Sequence, residues 1–207
     1  MKRTNILAAS FLGLGFAWLS YVMLFVEPGM GFEDPADFFD PQKVAVGYTT
    51  SVWLVSNFVY LGFPVAVMAL VLRATDPLLR WSGIASGLLW LTVASIDRVG
   101  IQLPDLIASD EALLAAVAAT LPTRFAILKG AVVTLGLFAW RTTRTGEAGG
   151  PATRVWRGLG WVVLALSVGF MFAFIPVPIV FAIWGVTLAA QHARAIPPRV
   201  AAETAHT

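Results

Sequence analysis

The chain has 207 residues, of which 58% are hydrophobic and 13% charged, and its net charge is +2; its mean hydropathy is +0.79. Soluble domains carry about 45–50% apolar and about 25% charged residues, so this chain has more apolar surface than one soluble core can hide. It has no cysteine, which excludes disulfides, thiol catalysis and thiolate metal sites.

A bilayer core of about 30 Å takes about 20 helical residues to cross. Apolar runs of suitable length predict spans over 5–26, 48–72, 81–103, 123–140, 156–174 and 177–191. The first run ends at Glu27-Pro28; it is too long for a cleavable signal peptide, and no small-x-small cleavage site follows it. Pro64 predicts a kink in the second. The third continues past Asp97-Arg98 toward Pro104. Pro176 and Pro178 divide the long apolar stretch from 156 to 191 into two helices rather than one.

Two connections carry features of their own. The acidic segment from Glu27 to Lys43 holds Phe32, Phe38 and Phe39, rings expected at the membrane surface. Its Glu33, Asp34, Asp37 and Asp40 have hard-cation chemistry but no calcium-loop spacing. Ser109 followed by Asp110 and Glu111 is a helix-start signal, and Leu113, Leu114, Val117 and Leu121 share a face. These predict a short extracytoplasmic interfacial helix. The segment from Thr142 to Thr153 reads as a flexible connector, and residues 197–207 as a disordered cytoplasmic tail after a single domain of 1–196.

Charge distribution supplies the orientation. With the N-terminus inside, the cytoplasmic segments hold ten of the fourteen basic residues and three of the twelve acids. Lysine and arginine gather on that side, so the expectation is six spans with both termini in the cytoplasm of a bacterial cell. Trp81, Trp140 and Trp156, each beside an arginine, are expected at the cytoplasmic boundary. The fold class expected is an all-α six-transmembrane-helix bundle. Trp81-Ser-Gly83 echoes Trp156-Arg-Gly158, with Gly62 and Gly130 eleven residues before Arg73 and Arg141. The frequency of glycine in membrane helices explains this as well as a duplication does. Gly13, Gly15, Gly87 and Gly160 add small residues suited to close helix contacts.

Ionisable groups inside a membrane cost several kcal/mol and are functional candidates by default. Here they are Asp97, Arg98, Arg124 and Lys129, all toward the outer leaflet. Asp97 and Lys129 each lie about 9 Å below the outer boundary, matched for an ion pair. Thr92, Ser95, Arg98 and Gln102 share one helical face, as do Trp53, Asn57, Tyr60 and Pro64. The candidate binding set is therefore Asp97, Arg98, Arg124, Lys129, Ser95, Gln102, Asn57 and Tyr60. It forms an outward polar vestibule for a phosphate, carboxylate or lipid headgroup. A structural ion pair with snorkelling arginines explains the same residues without a ligand.

No Walker loop, HExxH or GxSxG occurs, and His192 and His206 lie at or beyond the last apolar run. No catalytic residue, metal or cofactor is expected, nor a nucleic-acid partner. The leading expectation is a non-catalytic binding or accessory subunit of a membrane assembly, with the bilayer, other subunits or a second copy as partners. The alternatives are a small-solute or anion transporter and a lipid-modifying membrane enzyme using Asp97 as acid or base.

Overall fold

The computed structural model describes residues 2–26, 51–72, 74–102, 110–145, 154–170 and 175–194, with the backbone alone at 2, 51–53, 97–102, 114, 117 and 121. The acidic segment with its phenylalanines and possible cation ligands, residues 146–153 of the glycine-rich connector and the tail from 197 lie outside the described residues, whereas residues 142–145, expected in that connector, are helical. Among those residues the chain is all-helical: α1 (Lys2–Tyr21, continued by a π-helical segment Val22–Val26), α2 (Ser51–Val71), α3 (Pro77–Gln102), α4 (Glu111–Thr145), α5 (Arg154–Val168) and α6 (Pro176–Arg194). Five of these, all but α5, are long and apolar enough to cross a membrane.

The helices form a closed ring in chain order, with α6 packed back against α1 in the most extensive of the contacts. Neighbours run antiparallel, as the paired positions show. Phe11 meets Gly62 and Trp18 bonds to Ser56 between α1 and α2. Asn57 bonds to Ala94, while Pro64 faces Gly87, between α2 and α3. Ser86 bonds to Ala131 between α3 and α4; Gly136 faces Ser167 and Gly160 faces Thr143 between α4 and α5. The start of α1 and the end of α6 therefore share one end of the bundle with the α2–α3 connection.

Helix association in lipid depends on packing and interhelical hydrogen bonds rather than on expelling water. The centre shows how this sequence supplies both. Phe16 of α1 stacks between Phe63 at 4.5 Å and Phe181 at 4.8 Å. Trp90 sets its edge against Phe63 and stacks on Tyr60, at 5.0 and 5.2 Å. Phe181 continues the series to Trp184 and Phe138. Seven rings from five helices thus interlock, and such pairs contribute about 0.5–1.5 kcal/mol each beyond their burial. The indole N–H of Trp184 donates to Thr142 Oγ1 at 3.3 Å, and that hydroxyl donates to the Ala139 carbonyl. Outward, the surface is apolar: Leu7, Leu14, Phe58 and Val65 are all well exposed.

Glycines set the closest approach. A Cβ at position 185 would stand 2.5 Å from the backbone nitrogen of Gly13 and 2.6 Å from its Cα. The α1–α6 crossing is therefore backbone against backbone. The echo between Trp81-Ser-Gly83 and Trp156-Arg-Gly158 does not extend to environment. Gly83 is packed on Val71 and Phe138, whereas nothing lies within 4 Å of a Cβ at Gly158. Trp81 is exposed, as a boundary residue should be, but Trp156 is buried.

Asp110 caps α4, its Oδ1 accepting from Leu113 N–H at 3.0 Å, so the helix starts at the signal formed by Ser109, Asp110 and Glu111 in the sequence. Two elements differ from the sequence expectation. The segment read as a separate interfacial helix is the beginning of that same 35-residue helix, which carries on through Pro122. Proline removes one backbone donor but has a helix-compatible φ, so a well-packed helix tolerates it. At about 52 Å, α4 exceeds the bilayer core. Conversely α5 stops at Val168, where Gly169 and Phe170 close a turn back onto Ala165 and Ser167. Its 15 residues give about 22 Å, short of a perpendicular span. The gap between Val168 and Pro176 still separates two helices.

Candidate functional sites at the two ends of the bundle

The half of the bundle where α2 begins and α3 ends holds the eight residues singled out in the sequence, and the fold sorts them by direction. Asn57 faces inward and is buried, its Nδ2 donating to the Ala94 carbonyl at 3.0 Å. Tyr60, one turn further along α2, is buried against Trp90. Beside them, Trp18 of α1 donates its indole N–H to Ser56 Oγ at 3.2 Å. Trp90 Nε1 is buried with no hydrogen-bond partner among the described residues. Arg124 on α4 is 3% exposed, with its guanidinium 5.8 Å from the Phe125 ring centre. An interior group of hydrogen-bonding side chains therefore spans α1, α2 and α3, with a buried cation on α4.

The other half of the set faces elsewhere. Ser95 is exposed, and its hydroxyl donates to the Leu91 carbonyl of its own helix. Thr92 does the same with Leu88. Lys129 is exposed on α4. Among the described side chains, the α3 polar stripe lies on the exposed flank of the bundle, while the α2 stripe faces the centre. Asp97, Arg98 and Gln102 lie on the last turns of α3, where the backbone alone is described.

Helix register fixes the relative heights. Leu89 packs on Gly130. Eight residues outward from Leu89 is Asp97, and eight residues outward from Gly130 is Pro122. Position 97 is therefore nearly level with Arg124 and seven residues, about 10 Å, from Lys129. Equal depth of Asp97 and Lys129 assumed spans of equal extent on both helices; the length of α4 breaks that assumption.

The opposite end holds a site that sequence reasoning passed over. Asp76, ahead of Pro77, accepts from Arg141 through both carboxylate oxygens, Nε to Oδ1 at 3.1 Å and Nη2 to Oδ2 at 2.6 Å. The same carboxylate caps α3, accepting from Leu79 N–H at 2.8 Å. Aspartate before a proline at the first helical position is a start signal in its own right. Its partner, 65 residues away, has no local signature. The bidentate arginine holds the Asp76 carboxyl below its ordinary value of 3.8, the cap adding to the effect against a smaller opposing effect of burial. One turn beyond Arg141, Arg144 lies over Trp140 and Trp161, at 4.7 and 5.0 Å from their ring centres. Those indoles meet edge to face at 5.3 Å. The pair holds the guanidinium against two aromatic faces.

Length, apolar exterior and packed interior together define a multi-pass helical membrane protein. No known protein family, characterised protein or solved structure matches this chain. Among the described residues no group of three or more His, Asp or Glu side chains is placed to hold a metal.

Proposed function

We propose that this protein crosses the membrane six times, with both termini in the cytoplasm, and serves as a non-catalytic binding or accessory subunit of a larger membrane assembly. The short α5 completes the sixth crossing together with the turn that follows it. Basic residues at the end shared by α1 and α6 make that end the cytoplasmic one: Arg3, Arg80, Arg141, Arg144, Arg154, Arg157 and Arg194.

The observation that carries the accessory reading is Lys129. It is exposed on α4 twelve residues, about 18 Å, from Arg141, and so lies within the outer leaflet. Thr92 occupies a similar height on the exposed flank of the adjacent α3, with Ser95 about one turn further along the same flank. A charged side chain facing lipid at that depth is expensive, and a neighbouring subunit that covers it removes the expense. The interlocked rings at the bundle centre, meanwhile, leave a transported solute little room.

A photo-crosslinking residue at Ser95 or Lys129, introduced into the full chain in its native membrane, is expected to give a discrete protein adduct. The same residue at Val65, 71% exposed on α2, is expected to give lipid adducts alone. Equal results at the two faces, or no protein adduct from α3 and α4, would remove the reading. A second reading, an anion transporter or binder open to the outside, draws its support from Arg124, which is buried at the height of Asn57 and Ala94.

A further inference from the structure

At the cytoplasmic end of the bundle, Thr75, Pro77, Arg80, Trp81 and Ile84 line a surface groove of about 240 Å³. This is well above the roughly 30 Å³ that one water occupies in the liquid. The groove is largely apolar, with Ile84 and the indole of Trp81 toward the membrane and Arg80 at its watery rim. Trp81 is 71% exposed, so the ring stands out from the bundle as one wall of the groove. The electrostatics follow from the site across the helix. Asp76 is the one acidic residue at this end among those described, and Arg141 engages both of its oxygens. Its remaining role is to cap α3. Arg80, exposed one turn along, is left as a cation beside an apolar slot, with more arginines around the same rim.

We infer that this groove is a binding site for an anionic glycerophospholipid of the inner leaflet. The phosphate is held by Arg80, and the upper acyl chain lies against Ile84 and Trp81. A guanidinium presents parallel donors that match phosphate oxygens, and the adjacent apolar wall distinguishes a lipid from a free anion. The assignment rests on the orientation proposed above but not on whether the α3–α4 flank docks another subunit, because the groove lies at the other end of α3.

The test uses the full chain in neutral detergent, with thermal midpoint and lipid retention in native mass spectrometry as readouts. The probes are dioleoyl phosphatidylglycerol, dioleoyl phosphatidylcholine and inorganic phosphate. Phosphatidylglycerol is expected to raise the wild-type midpoint and be retained. Phosphatidylcholine should do so far less, and inorganic phosphate not at all. Arg80→Gln is expected to weaken phosphatidylglycerol binding by roughly tenfold or more, and Arg154→Gln to leave it near wild type. Arg80→Gln lies on an exposed side chain, and an unchanged midpoint without lipid shows that it folds. Full retention by Arg80→Gln, equal loss in Arg154→Gln, equal retention of phosphatidylcholine, or an equal shift from phosphate alone would each overturn the assignment.

Discussion

Gly185→Leu is expected to abolish the folded bundle or leave it only marginally stable, although it adds an apolar side chain to an apolar membrane protein. The obstacle is the atoms that side chain would meet. Its Cβ would fall on the nitrogen and Cα of Gly13, and a Cβ at Gly13 would in turn approach Val186 N at 2.7 Å. Backbone cannot swing aside as a rotamer can, so α1 and α6 must separate. Overpacking a core typically costs about 1–3 kcal/mol, and a contact made by backbone falls at or beyond the upper end. Separation would also pull Phe16 from Phe181 and loosen the ring stack that joins the two helices. Gly158→Ala supplies the contrast. It is the same kind of glycine in the sequence, but with open space around it, and removing the helix penalty of glycine should leave stability unchanged or raise it by up to about 1 kcal/mol. Monodispersity and thermal midpoint in detergent distinguish the two. Similar behaviour of the two variants would contradict the packing described.

The second large effect belongs to Asp76 and Arg141. Arg141→Ala leaves a carboxylate that is only 14% exposed without its bidentate partner, while Arg141 itself is 32% exposed. A fully buried pair broken in this way costs about 3–5 kcal/mol and an exposed one less than about 1. Partial burial places the expected loss between them, at about 1–3 kcal/mol. Asp76→Asn keeps an acceptor for the Leu79 N–H and loses mainly the charge, whereas Asp76→Ala loses the cap as well, typically about a further 1 kcal/mol. The pair also predicts an acid limb. Asp76 has a lowered value in the folded state, so its contribution is complete above the ordinary carboxyl value of 3.8. It is lost as pH falls below that through the folded value. Thermal midpoints measured from pH 6 to pH 3 should fall less steeply in Asp76→Asn than in wild type. Parallel curves would contradict the pairing.

How much of this was legible beforehand depends on whether the determining interaction is local. Apolar runs and prolines located α1, α2, α3 and α6 within a few residues, because the length of hydrocarbon to be crossed is a local constraint; the start of α4 and the end of α5 were missed. Asn57 was singled out on the polar face of the second span, and its amide bonds across to α3 at Ala94. The direction of a polar stripe is another matter. Thr92 and Ser95 lie on one helical face whether it meets the core or the lipid, and hydroxyls that donate to their own helix need no polar neighbour. Depth failed in a similar way: α4 begins at Glu111 and passes through Pro122, so counting residues from an assumed boundary at 123 misplaced Lys129 relative to Asp97. The Asp76–Arg141 pair was half legible, as a cap at Asp76-Pro77, while the choice of Arg141 among the arginines at that end of the bundle is made by the ring of helices alone.

The central claim is an even number of crossings with both termini on the cytoplasmic side, and the absence of native cysteine makes it directly measurable. Single cysteines at Asp37, Gly149 and Thr207, probed in intact cells with a membrane-impermeant maleimide and again after permeabilisation, read the three relevant segments. The account predicts labelling of Asp37→Cys from outside, and labelling of Gly149→Cys and Thr207→Cys only after permeabilisation. Thr207→Cys labelled from outside while Gly149→Cys stays protected would mean that α5 and α6 cross the membrane only once between them, and would contradict it.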